Sequence, residues 1–112
     1  MPFEIKQNDL SPSFVVSLKD DFGEPTEAAV NLTAAGTVFF NMRLVDGAVK
    51  IARGTASITG TVTGEVTYNW VGTDTDTAGD YEAEVEIVWN NGKPETFPNG
   101  GYFAVSIIDD IA

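Results

Sequence analysis

The sequence predicts an all-β protein, a two-layer antiparallel β-sandwich of about seven or eight strands with at most one short helical turn. Apolar residues alternate with polar ones in segment after segment, which is the period of a strand with one buried face. Clusters of Gly, Pro, Asn and Asp separate these segments at short intervals, as turns do. A small barrel is the competing way to close such strands.

Each predicted strand presents its apolar residues at every second position, so one face of each is expected in the core. In chain order these positions are Phe3 and Ile5; Phe14, Val16 and Leu18; Val38, Phe40, Met42 and Leu44; Val49 and Ile51; Val66, Tyr68 and Trp70; Tyr81, Ala83, Val85, Ile87 and Trp89; Phe103, Val105 and Ile107.

The connections follow from turn chemistry. Residues 19–25 form a turn cluster, and residues 26–35 have room for one short helical turn. Residues 54–64 are Thr, Ser, Gly and β-branched types that favour a short exposed strand or a flexible loop. Asn90-Asn91-Gly92 predicts a tight hairpin, because Asn and Gly tolerate positive φ angles. Residues 98–101 then predict a bulge or corner inside a long edge strand.

Composition limits the possible functions. The 112 residues support one domain, spanning residues 1–112. The net charge of -11 disfavours binding to nucleic acid or to anionic membranes, since such binding needs Lys and Arg. The chain has no cysteine and no histidine, which removes Ser-His and Cys-His catalysis and the usual zinc sites. We therefore expect no enzyme and no cofactor.

The same features predict where the protein is made. A cysteine-free chain is compatible with folding in a reducing cytoplasm. The first residues contain no basic region followed by an apolar stretch, so no signal peptide is visible. We expect synthesis in the cytoplasm.

Tyr81 gives the sandwich a more specific form. It follows the turn of residues 76–80 at the start of the penultimate long strand, where immunoglobulin-like sandwiches have a tyrosine corner. In that corner the Tyr hydroxyl bonds back to the preceding turn. Ala83 occupies the position at which antibody domains have a Cys, so we predict a cysteine-free sandwich of immunoglobulin-like architecture.

A series of motifs along the chain resembles a known domain. In order, the motifs are Phe3-x-Ile5-Lys6-Gln7 with Asp9, Gly23-x-Pro25, Asn31-Leu32-Thr33, Val38-Phe39-Phe40-x-Met42-Arg43, Gly64-x-Val66-x-Tyr68-x-Trp70, Ala78-Gly79-x-Tyr81-x-Ala83-Glu84, and Glu95-Thr96-Phe97-Pro98-Asn99-x-Gly101-Tyr102. Together they resemble the immunoglobulin-like N-terminal domain of phage baseplate upper proteins and related phage tail proteins.

This resemblance implies a virion structural protein of a bacteriophage, in the tail, baseplate or fibre attachment, that assembles through protein contacts without catalysis. Its partners are then other virion proteins, in a homo-oligomer or in many copies per particle. Two alternatives stay open, a module that binds a glycan or protein of the host surface and a decoration protein of the capsid exterior.

Three aspartates offer a candidate calcium site. Asp74, Asp76 and Asp80 alternate with threonines and supply hard oxygen ligands, although the spacing is not that of an EF-hand. Aspartate and threonine are also common turn residues, so we expect no bound metal.

Interface candidates fall in two groups. Glu82, Glu84 and Glu86 lie about 7 Å apart on one strand face, where they form an acidic stripe that suits a basic partner or serves solubility. The apolar candidates near the C-terminus either cover the open end of the core or form an exposed patch that contacts a neighbouring subunit. They are Phe97, Pro98, Tyr102, Phe103, Ile108 and Ile111.

Trp70 and Trp89 are candidates for a sugar-stacking platform. Both lie in phase with the core residues of their strands, which predicts burial instead.

Overall fold

The computed structural model describes residues 2–20 and 28–111. These residues contain eleven strands and no helix. The strands are β1 (Phe3–Lys6), β2 (Phe14–Ser17), β3 (Lys19–Asp20), β4 (Ala28–Ala29), β5 (Ala35–Leu44), β6 (Val49–Thr55), β7 (Ser57–Gly60), β8 (Glu65–Tyr68), β9 (Gly79–Trp89), β10 (Pro94–Phe97) and β11 (Phe103–Ile108).

The large sheet has the strand order β1-β11-β9-β5-β6, and β10 also pairs with β9. β5 borders one side of β9 along most of its length. β10 pairs with residues 85–88 of β9 and β11 with residues 79–83, so both occupy the other side of β9 in succession. This confirms the predicted corner between them.

The small sheet faces it with the order β2-β8-β7, and β3 and β4 form a separate short ribbon. In chain order, β2, β5, β6, β7, β8, β9 and β11 are distributed between the sheets as in a variable-type immunoglobulin sandwich. The predicted all-β sandwich is confirmed. One strand pair departs from the antiparallel prediction, since β1 runs parallel to β11 with Phe3 opposite Val105.

Aromatic side chains fill one end of the core. Phe40 is 0% exposed, and its ring stacks on Tyr68 with 4.5 Å between centroids. The rings of Phe14 and Trp70 also pack against the Phe40 ring, with centroid separations of 5.1 and 5.7 Å. Such offset and edge-to-face contacts add to the free energy gained from burying the rings. Both sheets contribute to this cluster, which holds the two layers together.

The structure answers two of the predictions about the connecting segments, residues 26–35 and residues 54–64. Ala28 and Ala29 form strand β4, and no helical turn is present among the described residues of the segment predicted to contain one. Short β pairing with Lys19 and Asp20 takes its place. Residues 21–27, with most of the predicted turn cluster, lie outside the described residues. The segment of residues 54–64 contains the short strand β7, in agreement with one of the two options.

The tyrosine corner is present. Tyr81 is 1% exposed, and its hydroxyl donates a hydrogen bond of 2.6 Å to the backbone carbonyl of Thr77. This bond fixes the turn before β9 to the first buried residue of that strand. It bears out the prediction made from the spacing of residues 76–81.

Replacing Tyr81 with Phe should lower the free energy of unfolding by about 1 to 2 kcal/mol, because the Thr77 carbonyl loses its partner while the ring stays buried. Urea unfolding followed by tryptophan fluorescence measures this loss. Tyr102→Phe is the control, since Tyr102 is 47% exposed and its change should cost no more than about 0.5 kcal/mol. Equal losses in the two variants would contradict a stabilising corner.

Candidate functional site

The outer face of the large sheet carries two of the three ion pairs found among the described residues. On β9 the residues Tyr81, Ala83 and Val85 are buried, so the intervening Glu82, Glu84 and Glu86 point to the other face. The acidic stripe predicted from the sequence is therefore present as a row. Its members are half-buried, and two of them are neutralised by arginines on β5 and β6.

Arg43 neutralises the first glutamate. It lies opposite Glu82 on β5, and its Nη2 is 3.2 Å from Glu82 Oε1. The same Nη2 donates a 3.1 Å hydrogen bond to the Tyr102 hydroxyl, and the guanidinium lies over the Tyr102 ring at 5.0 Å from its centroid. The cation–π contact and the ion pair together hold Arg43 in one place.

Arg53 neutralises the third glutamate. Its Nη1 is 2.8 Å from Glu86 Oε1, and its guanidinium stacks on the Phe39 ring at 3.9 Å. The backbone of Arg53 has φ of 52°, an unusual value for a residue other than glycine. Its N–H donates a 2.7 Å hydrogen bond to Asn41 Oδ1 at an irregularity in the β5–β6 pairing. The bulge therefore aims the Arg53 side chain across the sheet.

A shallow trough of about 300 Å³ on this face is lined in part by the Arg43–Glu82 ion pair. Asn41, Val49, Ala52, Glu84 and Tyr102 are among the residues that line it. Val49 was predicted on the core face but is 68% exposed, because the β5–β6 register shifts between Met42 and Arg43 and places Val49 opposite the outward Arg43. It gives the trough an apolar wall. The trough combines apolar surface with one carboxylate that no cation of the described chain neutralises. Such a surface suits the binding of an amphipathic cation.

The apolar candidates near the C-terminus separate into buried and exposed residues. Phe97 is 0% exposed and Pro98 is also buried, so these two follow the first of the two predicted options and cover the core instead of forming an exposed patch. The reason is that Phe97 pairs with Val85 and shares its inward face. Phe103 is half-buried against the core, whereas Tyr102 is 47% exposed on the outer face.

β11 is not the edge strand that the sequence predicted. It lies between β9 and β1, and Ile108 at its end pairs with Lys6. The first strand therefore occupies the side of β11 that an edge strand would leave free. Ile111 lies beyond the sheet and is 99% exposed, so it remains an interface candidate.

The three aspartates of the calcium candidate serve separate contacts. Asp74 Oδ2 accepts hydrogen bonds from the Tyr68 hydroxyl at 2.6 Å and from the Val71 N–H at 2.9 Å. Asp76 pairs with Lys50, and the side chain of Asp80 accepts a bond from Ser106. Among the described residues no three acidic groups converge as metal ligands, so the calcium candidate is not supported.

These contacts shift two pKa values. The hydrogen bond from Lys50, followed by that from Thr77, lowers the pKa of Asp76 below its usual value. Burial, followed by the hydrogen bond to Asp74, raises the pKa of Tyr68 well above its usual value of 10.0. At neutral pH the Asp76 carboxylate is therefore ionised beside Lys50 and Thr77, and the Tyr68 hydroxyl stays protonated and donates to Asp74.

The raised pKa of Tyr68 predicts a loss of stability in alkali. The folded state holds the Tyr68 hydroxyl proton more tightly than the unfolded state does. The resulting contribution to the free energy of unfolding is complete below about pH 10 and falls as the pH rises further. Tyr68→Phe should therefore flatten the decline of unfolding free energy between about pH 10 and 12. Urea unfolding at several pH values measures the two slopes, and parallel slopes for variant and parent would contradict the prediction.

The tryptophans do not form an exposed platform. Trp70 is 3% exposed, and its Nε1 donates a 3.0 Å hydrogen bond to the Pro12 carbonyl. Trp89 is half-buried against the core and donates to Glu95 Oε1 at 3.1 Å. The predicted burial is confirmed for Trp70 and holds in part for Trp89.

Reasoning from sequence missed the two arginines and the role of Tyr102. Arg43 is an outward residue of a predicted strand, whereas Arg53 follows Ile51 in the inward phase and reaches the outer face through the bulge in the β5–β6 pairing. The ion pairs with particular glutamates depend on the cross-strand register. Two arginines in a chain with six basic residues were a usable signal, because a strand rich in Glu attracts them.

No family model matches the chain, and no curated protein or solved structure matches it either. Within the described residues there is no helix long and apolar enough to cross a membrane. The functional interpretation therefore depends on the sequence motifs and on the outer face of the large sheet.

Proposed function

We propose that the protein is a structural component of a bacteriophage virion, in the tail, baseplate or fibre attachment, and that it acts by protein–protein assembly without catalysis. The observation that carries this proposal is the ordered series of motifs from Phe3 to Tyr102, which resembles the immunoglobulin-like domain of phage baseplate upper proteins.

The structural roles of the motif residues support the proposal. Tyr81 closes the corner before β9, and Phe97 covers the core beside Val85. Glu95 and Asn99 hold the turn after β10 through a 3.2 Å hydrogen bond. Residues with such roles are expected to recur wherever this domain fold recurs, so their order along the chain favours a common fold.

The surface of the sandwich suits assembly with other virion proteins, in a homo-oligomer or in many copies. Tyr102, Val49 and Val45 are exposed apolar residues on or beside the outer face of the large sheet. Single exposed apolar residues are common, but here they flank ordered ion pairs, as at the rim of protein interfaces. Because the net charge is -11, we propose neither nucleic acid nor membrane as a partner.

Immunogold electron microscopy tests the proposal. Antibody against the purified protein is applied to intact and opened particles of the phage that encodes it. A lysate of infected cells is the control for expression. Label at a fixed tail or baseplate position, with a constant copy number per particle by quantitative mass spectrometry, is the expected result. A lysate that contains the protein, with particles that carry no label, would refute the virion role.

The test also separates the alternatives. Label over the capsid exterior would identify a decoration protein, and binding of the soluble protein to host envelopes without label would identify a host-surface module. A glycan-binding module has less support, because Trp70 is buried and Trp89 is half-buried.

A further inference from the structure

On the outer face of β9 two of the three glutamates are paired with an arginine of the described chain, and the middle one is not. Its three glutamates lie opposite Arg43, Asn41 and Phe39 on β5. The first and third glutamates each have an arginine that is also stacked on an aromatic ring. Glu84, in the middle, has no hydrogen bond or ion pair with the described residues. Three carboxylates thus face two guanidinium groups, and one negative charge remains at Glu84.

No described residue neutralises Glu84, because the polar and cationic side chains nearest to Glu84 make contacts with other groups. Asn41 lies opposite Glu84, but its Oδ1 accepts the backbone N–H of Arg53. The guanidinium groups of Arg43 and Arg53 are fixed on the Tyr102 and Phe39 rings. The middle carboxylate therefore faces the trough.

We propose that this trough binds one lysine or arginine side chain of a partner protein, whose cationic group pairs with Glu84. The proposal rests on the assembly role proposed above and adds the chemistry of the partner. Complementary charge is the basis for this choice of partner, since the face has one unpaired carboxylate and the protein as a whole has a net charge of -11.

The shape of the trough fits the same occupant. Its volume of about 300 Å³ is at the lower end for binding pockets and suits one long side chain. Val49 and the Tyr102 ring provide apolar surface for the aliphatic stem, while Glu84 meets the charged end.

A metal ion fits this place poorly. Calcium takes six to eight oxygen ligands, and the trough offers the carboxylate of Glu84 beside the amide of Asn41, while its second carboxylate, Glu82, is already paired with Arg43. No group of three acidic residues in residues 2–20 and 28–111 is arranged for a metal. An organic cation needs only the one carboxylate and an apolar wall.

An NMR titration of the isotope-labelled full chain tests the proposal with three small probes. They are the Nα-acetyl methylamides of lysine, of arginine and of norleucine, the last of which has a similar stem without the charge. The cationic probes should give saturable shifts of the backbone amides around Asn41, Val49, Ala52 and Glu84, and norleucine should give none. Added salt should weaken the binding, because part of the trough is open to solvent.

Glu84→Gln should weaken binding of the cationic probes about five-fold while it preserves the shape of the side chain. Val49→Lys introduces a cation beside Glu84 and should abolish binding. Glu65→Gln, on β8 of the other sheet, is the matched control with the same change of charge, and it should leave the affinity unchanged.

Equal shifts from norleucine, or an affinity unchanged in Glu84→Gln, would overturn the proposal. Shifts scattered over the surface that do not saturate would also overturn it, since they indicate general attraction to an acidic protein. The titration uses the isolated protein, so its result is independent of the immunogold label. Absent label with a positive titration refutes the virion role alone, and label with a negative titration refutes the trough alone.

Discussion

Replacing Phe40 with Ala should lower the free energy of unfolding by about 3 to 5 kcal/mol, the largest loss expected from one side chain of this core. Phe40, on the large sheet, is 0% exposed, and its ring contacts Phe14 and Tyr68 of the small sheet and Trp70 just after β8. Truncation removes the buried ring and leaves a cavity that these neighbours fill only in part. Urea unfolding with circular dichroism measures the loss.

The adjacent residue provides the control. Phe39 has the same side chain on the same strand but points to the outer face, where it contacts Arg53. Phe39→Ala should cost about 1 kcal/mol, mainly the lost cation–π contact. If Phe40→Ala does not fold, Phe40→Leu should still lose about 1 to 2 kcal/mol. A larger loss at Phe39 than at Phe40 would contradict the assigned faces of β5.

Replacing Gly64 with Ala should destabilise the protein by about 3 kcal/mol or more, through strain and overpacking combined. Gly64 has φ of +71°, and a Cβ there would lie 2.5 Å from the Leu18 carbonyl oxygen and 3.0 Å from that of Val30. Both neighbours are backbone atoms, which cannot rotate away. The turn before β8 therefore depends on the absence of a side chain at this position.

Gly92 separates the two causes. It has a similar φ of +85° in the β9–β10 hairpin, but a Cβ there would meet no atom within 4 Å beyond the residues directly before and after it in the chain. Gly92→Ala should cost only the backbone strain, about 1 to 2 kcal/mol. Thermal and urea unfolding of both variants measure the difference. Losses of equal size would show that the close approach at Gly64 adds nothing.

The candidate site was predictable in part from the sequence. The row of Glu82, Glu84 and Glu86 follows from alternation alone, because strand geometry places every second residue on one face. Alternation does not predict which of these glutamates lacks an ion pair. Arg43 is 39 residues from Glu82 and Arg53 is 33 from Glu86, so the ion pairs depend on the register of β5 and on the bulge within the β5–β6 pairing.

The apolar candidates show the same limit. Phe97, Tyr102 and Phe103 flank one corner and have similar chemistry, yet Phe97 is buried and Tyr102 is exposed. Phe97 faces inward because it pairs with Val85 on β9. The prediction that β11 forms an edge was wrong because β1, about a hundred residues away, adds to its free side.

Local patterns in the sequence were enough to determine the all-β sandwich, most strand positions, the hairpin after β9 and the tyrosine corner. Each depends on alternation, turn residues or short spacings, which act over a few neighbouring residues. Tertiary structure alone decided the strand order, the covered side of β11, the burial of Phe97 and the unpaired state of Glu84. These depend on contacts between distant strands, and a period of two residues specifies the face of a strand but not its neighbour.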